Sequence, residues 1–361
     1  MYNYCTLYDK NYLIRGLAMY ESLKTYTKKF HLYVFAFDEL TEKILKEMNL
    51  QNVTVISLPE FEDDELLAVK SSRTKVEYCW TCTPSVIKYC IEKFNLPSCT
   101  YIDADLYFYD DPKQLIEEMG DNSVLITPHW YTPIYDQSKT SGIYCVQFLT
   151  FKNDPEGMKV LEWWRKACIE WCYARFEDGK FGDQKYLDKW PEMFDKVHIL
   201  RNKGGGVAPW NVQKYKIIEN NNRLYILDLK ENQIFPLIFY HFHNLKFLNL
   251  YYVYLGNYIL DKIVLYKIYF PYINHLLKLH SFLTDKGYKE DFLMKSTLTT
   301  NKLLLKFYKI NIFNKFFFNL LNDLLPESYW RNGNNNDFMK KLLRTLTAPY
   351  NIIEIEEVKR K

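Results

Sequence analysis

Short apolar runs alternate with stripes of 3.6 spacing through the first 244 residues of the chain, and after them the alternation stops. Tyr2 to Leu7, His31 to Phe37, Val53 to Ser57, Cys99 to Ile102, Val124 to Thr127, Ile143 to Phe151 and Ile234 to Phe242 read as strands. Between them Leu13, Leu17, Tyr20 and Leu23 mark a helix with Asp9 as its cap, Thr41 caps a second over Thr41 to Met48, and Pro84 opens a third that runs to Phe94. Asp111-Pro112 opens another, and Asp154 to Tyr173 is a long helix whose Trp163, Trp164 and Trp171 recur at helical spacing and read as core. Strands fed by crossover helices predict an α/β domain with a central sheet. Asn202 to Asn211, with Gly204-Gly205-Gly206 and Pro209, reads as a loop.

From Lys246 onward Leu, Tyr, Phe and Lys follow one another in helical alternation, so the expected division is a catalytic domain over 1–246 and a helical extension over 247–361. The chain's charge of +3 is split between them. Residues 245–361 hold 18 Lys and Arg against 10 Asp and Glu, a balance of +8, and the rest stands at −5. No Arg-rich helix or zinc knuckle goes with the basic half, which argues against nucleic acid and for an anionic membrane surface or acceptor. Leu303 to Leu325, with Lys302, Lys306, Lys309 and Lys315 among bulky apolar residues, fits a membrane interface or a basic-faced cap on the catalytic domain. No basic segment followed by an apolar stretch opens the chain, which implies a cytoplasmic protein, peripheral on the inner membrane face if the tail engages lipid. The eight cysteines lie scattered in apolar segments and read as reduced core residues, Cys79 and Cys82 included.

The chemistry gathers at Tyr101-Ile-Asp103-Ala104-Asp105, followed by an aromatic run and Asp111-Pro112. A buried strand that ends in two carboxylates one residue apart delivers both to the carboxyl edge of a sheet, where open α/β folds bind ligands. Carboxylates this close repel unless neutralised, and a hard divalent cation takes their oxygens while leaving positions for phosphate. Asp63-Asp64 shows how readily acidic pairs arise, and is read as a solvated loop. Tyr240-His241-Phe242-His243 alternates in strand fashion, so either imidazole is a candidate third ligand. Phe181-Gly182-Asp183-Gln184 places two hydrogen-bonding side chains at a helix start. Lys203, Lys246 and Arg73 are candidate partners of a diphosphate, and Gly205 in its glycine run offers an unobstructed backbone N–H.

These segments, in this order over residues 1 to 246, resemble the GT-A glycosyltransferases, and among them glycosyltransferase family 8. The resemblance implies a Rossmann-like mixed sheet flanked by helices, a Mn²⁺ or Mg²⁺ ion, and transfer of a hexose, with retention, from a nucleoside-diphosphate sugar, UDP-sugar favoured. It implies Thr6, Leu7 and Tyr12 at the base and ribose, Asp103 and Ala104 at the nucleotide, Asp103 and Asp105 on the metal, and Asp183 and Gln184 beside the transferred sugar. The acceptor it implies is a glycan or lipid-linked glycan of a bacterial surface, as in lipopolysaccharide synthesis. The family's Gly and Lys-Pro-Trp after its final His are absent here around Lys246. Rival readings are a carbohydrate hydrolase with two working carboxylates, Asp103 and Asp183, and a silent sugar-binding protein.

Overall fold

A computed structural model describes residues 1–248, 252–293 and 352–359. Its centre is a seven-stranded sheet in the order β3-β2-β1-β4-β7-β6-β8. The strands are β1 (Tyr2–Tyr8), β2 (Phe30–Ala36), β3 (Val53–Ser57), β4 (Ser98–Ile102), β6 (Val124–Pro128), β7 (Tyr144–Lys152) and β8 (Val197–Ile199). β7 pairs antiparallel with β4 and β6, and the other pairings are parallel. The protein thus has the mixed α/β architecture expected of it. β1 connects to β2 on one side and lies against β4 on the other, so the chain switches direction between the carboxyl ends of β1 and β4, where such sheets open a crevice.

The side chains of β1 alternate between two helical layers. Cys5 and Leu7 join a buried cluster with Val86, Ile87 and Cys90 of the Lys75–Lys93 helix and Val160, Leu161 and Trp164 of the Pro155–Glu170 helix. Trp164 stacks on Phe151 of β7 and meets Trp190 edge-on, the core role expected of it. On the other face Tyr8 lies under the Leu13–Tyr26 helix, whose Gly16 permits the approach, since a Cβ there would sit 2.4 Å from the Tyr8 ring. All eight cysteines are free.

Several boundaries differ from expectation for local reasons. Asp9 does not cap the first helix; its carboxylate accepts from Asn11 and pairs with Lys75. Asp38, not Thr41, caps the Glu39–Met48 helix by accepting from the Thr41 N–H at 2.7 Å. The Lys75–Lys93 helix starts nine residues before Pro84, because Thr74 and Glu77 form a capping box, and Pro84 lies inside it. Asp63, read as solvated, caps the Asp64–Lys70 helix and pairs with Arg165. Trp171 falls just beyond its helix. Ile234 to Phe242 is not one strand but two, β11 (Gln233–Pro236) and β12 (Phe239–His241).

Contacts divide the chain into two compact units, the first made of Met1–Trp130, Gln137–Gly206 and Pro236–His241. The second takes Tyr131–Asp136, Val207–Phe235 and the described residues from Phe242 on. In it β9 (Tyr215–Asn220) and β10 (Arg223–Asp228) form a hairpin closed by Asn221 and Asn222, whose positive φ of 49° and 60° suits a two-residue turn. Phe242 stacks on Tyr272 of the Phe270–Asp285 helix. Where helix was expected throughout, β13 (Lys246–Phe247), β14 (Tyr252–Tyr254) and β15 (Ile352–Glu354) form a small antiparallel sheet, the Tyr-Val-Tyr alternation overriding the helical stripe. Leu303 to Leu325 lies outside the described residues. Among those described, no helix is long and apolar enough to cross a membrane.

Candidate active site

β4 delivers its carboxylates as the sequence indicates, but a strand the apolar pattern hides completes the site. After Ile102 the Asp103 N–H donates to the Gln147 carbonyl of β7 at 3.0 Å, and the Leu106 N–H turns back to the Asp103 carbonyl at 3.3 Å. Leu106–Phe108 then forms β5, which pairs antiparallel with β12 so that His241 stands opposite Leu106, one residue past Asp105. Register alone thus brings the imidazole to the acids. His241 Nε2 lies 3.2 Å from Asp105 Oδ1 and 3.9 Å from Asp103 Oδ2, and its Nδ1 lies 2.7 Å from Gln147 Oε1. The Tyr101 hydroxyl donates to Asp103 Oδ1 at 3.1 Å.

Asp105 and His241 are buried and Asp103 half-buried, and their titration shows the strain of like charge. Burial above all, and Asp105 after it, push the Asp103 carboxyl up to about 6, against the opposing pull of His241 and the Tyr101 hydroxyl. Burial alone would lower His241, but Asp105 outweighs it, helped by Cys145 and Asp103, and holds the imidazole well above its usual range. Burial, then Asp105, also raise the Tyr12 phenol, which places the end of the β1 turn in the field of the same acids.

Asp183 joins this group from the other side of the motif. Gly182 before it adopts φ +51° with the Trp80 ring against its α-carbon, and the Trp164 indole N–H donates to the Asp183 carbonyl at 2.9 Å. The residue is 5% exposed, and burial pushes its carboxyl up to about 7, the Thr83 hydroxyl opposing and Asp103 adding to the rise. Gln184 begins a 3₁₀ turn, and its Nε2 donates to the Ser141 carbonyl at 2.7 Å, so the amide ties down the 138–141 segment.

The ligand atoms of Asp103, Asp105 and His241 lie within 4.8 Å of one another, and two carboxylates with one imidazole suit a hard divalent cation. The Gln147 contact to Nδ1 is the support a metal-ligating histidine ordinarily has. The donor set therefore fits the metal that the sequence implies. Among the described residues one further cluster has comparable spacing, Cys5, Cys90 and Cys99. Its thiols are fully buried in the core.

Other candidates are placed differently. Thr6 and Leu7 are buried in β1, and Ala104 is buried between the two acids. Arg73 is engaged elsewhere, donating to the Ile169 carbonyl at 3.1 Å with its guanidinium 3.9 Å from the Tyr173 ring centroid. Lys203 to Gly205 is a 3₁₀ turn in which the Gly204 and Gly205 N–H groups bond to Asn202, so neither is left for a phosphate. Its glycines serve close packing instead: a Cβ on Gly204 would sit 1.9 Å from the Pro236 carbonyl oxygen, and one on Gly205 2.5 Å from Leu115. Lys246 begins β13 in the second unit. The strand alternation does not continue to His243, because β12 ends at His241 and Asn244 turns with φ +63°. The His243 ring meets Trp210 and Tyr258. Gln147 and Cys145 are not singled out by the sequence pattern. A lone amide in the buried strand Tyr144–Lys152 was the available signal, since an apolar strand hides a polar side chain only when something bonds it.

No family model matches the chain. It is 32% identical over 287 residues to the uncharacterized protein YfnD of Bacillus subtilis, across 76% of this chain and 88% of that protein. It is 31% identical over 255 residues to the uncharacterized YfnF of the same organism, across 68% and 82%. Among solved structures it is similar to the galactosyltransferase LgtC in complex with donor and acceptor sugar analogs, at 13% identity and TM-score 0.42 over 67% of this chain and 87% of that one. Mouse xyloside xylosyltransferase 1 is similar at 14% identity and TM-score 0.39, over 55% and 84%. Both are loose likenesses of arrangement.

Proposed function

The chain belongs to the family of YfnD and YfnF of Bacillus subtilis, and we propose that it is a metal-dependent glycosyltransferase that moves a hexose from a nucleoside-diphosphate sugar. The observation that carries this reading is the meeting of Asp103, Asp105 and His241 at the carboxyl edge of β4, with buried Asp183 beside them. A divalent cation held there would stabilise the charge that grows on a departing diphosphate. Around it the chain's own groups divide the work. Asp103 and Asp105 hold the cation with His241, Tyr12 lines the nucleotide at the mouth of β1, and Asp183 with Gln184 orients the sugar. Asp183 suits that role because a carboxyl poised near neutrality both donates to and accepts from hydroxyls.

A hydrolase with Asp103 and Asp183 as working acids is less well supported, because Asp103 shares its place with a chelating neighbour and an imidazole. The sequence resemblance extends the proposal to a GT-A enzyme of the family 8 kind using UDP-hexose with Mn²⁺, retaining, and acting on a bacterial surface glycan or lipid-linked acceptor. The basic tail extends it to an anionic membrane surface at the cytoplasmic face. The test is nucleoside-diphosphate release from a panel of sugar nucleotides, with Mn²⁺ and with EDTA. Metal-dependent release from one of them is expected; release indifferent to EDTA, or none from any donor, overturns the reading.

A further inference from the structure

Gln147 touches two of the three proposed ligands at once. Its carbonyl accepts from the Asp103 N–H at 3.0 Å, and its side-chain oxygen stands 2.7 Å from His241 Nδ1. The residue is fully buried on β7, between Val146 and Phe148, in a strand where an apolar side chain would pack without polar cost. Among the described residues its Nε2 has no hydrogen-bond partner, so the bond through the oxygen is the one the amide makes there. The direction of that one bond decides what the imidazole can do. With Oε1 as acceptor, Nδ1 keeps its proton, and Nε2, which faces Asp105, is the nitrogen that would give its lone pair once an incoming cation displaces the proton shared with that acid. With the amide turned over, its N–H would claim the Nδ1 lone pair and leave the proton on Nε2, where it closes the site to a cation.

We propose that Gln147 is the positioning residue of the metal site, fixing the first acid through its main chain and the ring orientation and tautomer of His241 through its amide. This rests on the metal reading above. Mn²⁺ affinity is measured by electron paramagnetic resonance on the full chain, with the nitrogen hyperfine coupling of a bound imidazole as the second readout. Gln147→Leu removes the acceptor and is expected to weaken Mn²⁺ about 10- to 100-fold and to reduce the coupling. Gln147→Glu keeps an oxygen acceptor and is expected to bind Mn²⁺ as the parent does or more tightly, a rescue that a merely space-filling role would not give. Should circular dichroism show Gln147→Leu unfolded, Gln147→Met, closer in shape, replaces it. Unchanged affinity and coupling in Gln147→Leu, or a Glu variant as weak as the Leu one, overturns the inference while leaving the metal site standing. A parent protein that binds no Mn²⁺, or binds it as well after His241→Ala, overturns the metal reading itself.

Discussion

Two turns of the first unit invite the same reading in sequence and serve opposite ends in the fold. The Asp103–Asp105 turn concentrates charge that the core does not neutralise, with a carboxyl raised to about 6 and a buried imidazole drawn to it. In the Lys203–Gly205 turn and Gly206 beyond it, the bonded amides and tight approaches to Pro236, Leu115 and Trp130 leave little unsatisfied. Crowded like charges must be balanced by something, whereas glycines are as useful for packing as for ligand approach. An acid pair at a strand end is therefore the better guide to chemistry, and it destabilises the fold that carries it.

The largest effect that can break this contrast is expected at Asp105. Asp105→Ala should lower donor turnover by roughly 10³-fold, several kcal/mol of charge stabilisation, and abolish Mn²⁺ binding while the metal-free protein melts no lower than the parent. A large loss of melting temperature in this variant would instead make the pair a structural feature.

The glycine turn should answer in the opposite way. Gly204→Ala forces a methyl group onto backbone and is expected to cost about 3 kcal/mol or more, read by denaturant unfolding. Gly206→Ala meets side chains rather than backbone, the Trp130 ring at 2.8 Å and the Thr127 methyl at 3.3 Å, and should cost less, about 1–2 kcal/mol. Both should leave the Mn²⁺ affinity of the folded protein unchanged. A Gly204→Ala protein with normal stability and weakened donor binding would return the turn to the nucleotide.

How far the site could be read from sequence follows from the same distinction. Six strands of the central sheet, the helix over β1 and the acid pair follow from periodicity and from a buried run that ends in charge, both local signals. β5 is three residues, Leu106–Phe108, and no period can be read in three residues. Yet its pairing with β12 selects His241. The start of the Lys75–Lys93 helix is hidden by Pro84, a strong but misleading opening signal beside a capping box whose Thr74 lies ten residues upstream. Gln147 escaped because its meaning depends on Nδ1 of a residue 94 positions away.

Asp183 sharpens the contrast through pH. Its ordinary carboxyl value is 3.8 and burial first of all raises it to about 7 in the fold. Between those values the folded state holds a proton that the unfolded chain has released, so stability falls as pH rises from about 4 to about 7 and stays low above. Asp183→Asn removes the penalty. In EDTA the variant should gain about 3 °C or more over the parent at pH 8, and little at pH 4. An equal shift at both values would show that Asp183 is not the buried acid responsible. Donor turnover should fall in the same variant, since an amide cannot take on the negative charge that a carboxyl poised near neutrality can.

The smallest expected effect separates the two late histidines, which lie two residues apart in sequence and in different units of the fold. Strand alternation would turn both toward one face, but β12 stops at His241 and the φ of +63° at Asn244 carries the chain away from strand geometry. The cluster able to hold a metal takes His241, and the His243 ring instead packs edge-on against Trp210 at 5.4 Å and Tyr258 at 6.3 Å. His243→Ala should therefore leave Mn²⁺ affinity within about twofold of the parent and cost about 1 kcal/mol of stability through the lost ring contacts. His241→Ala should weaken Mn²⁺ by at least tenfold. If the two variants lose metal equally, strand register does not decide between the two imidazoles, and the choice of His241 as the ligand fails.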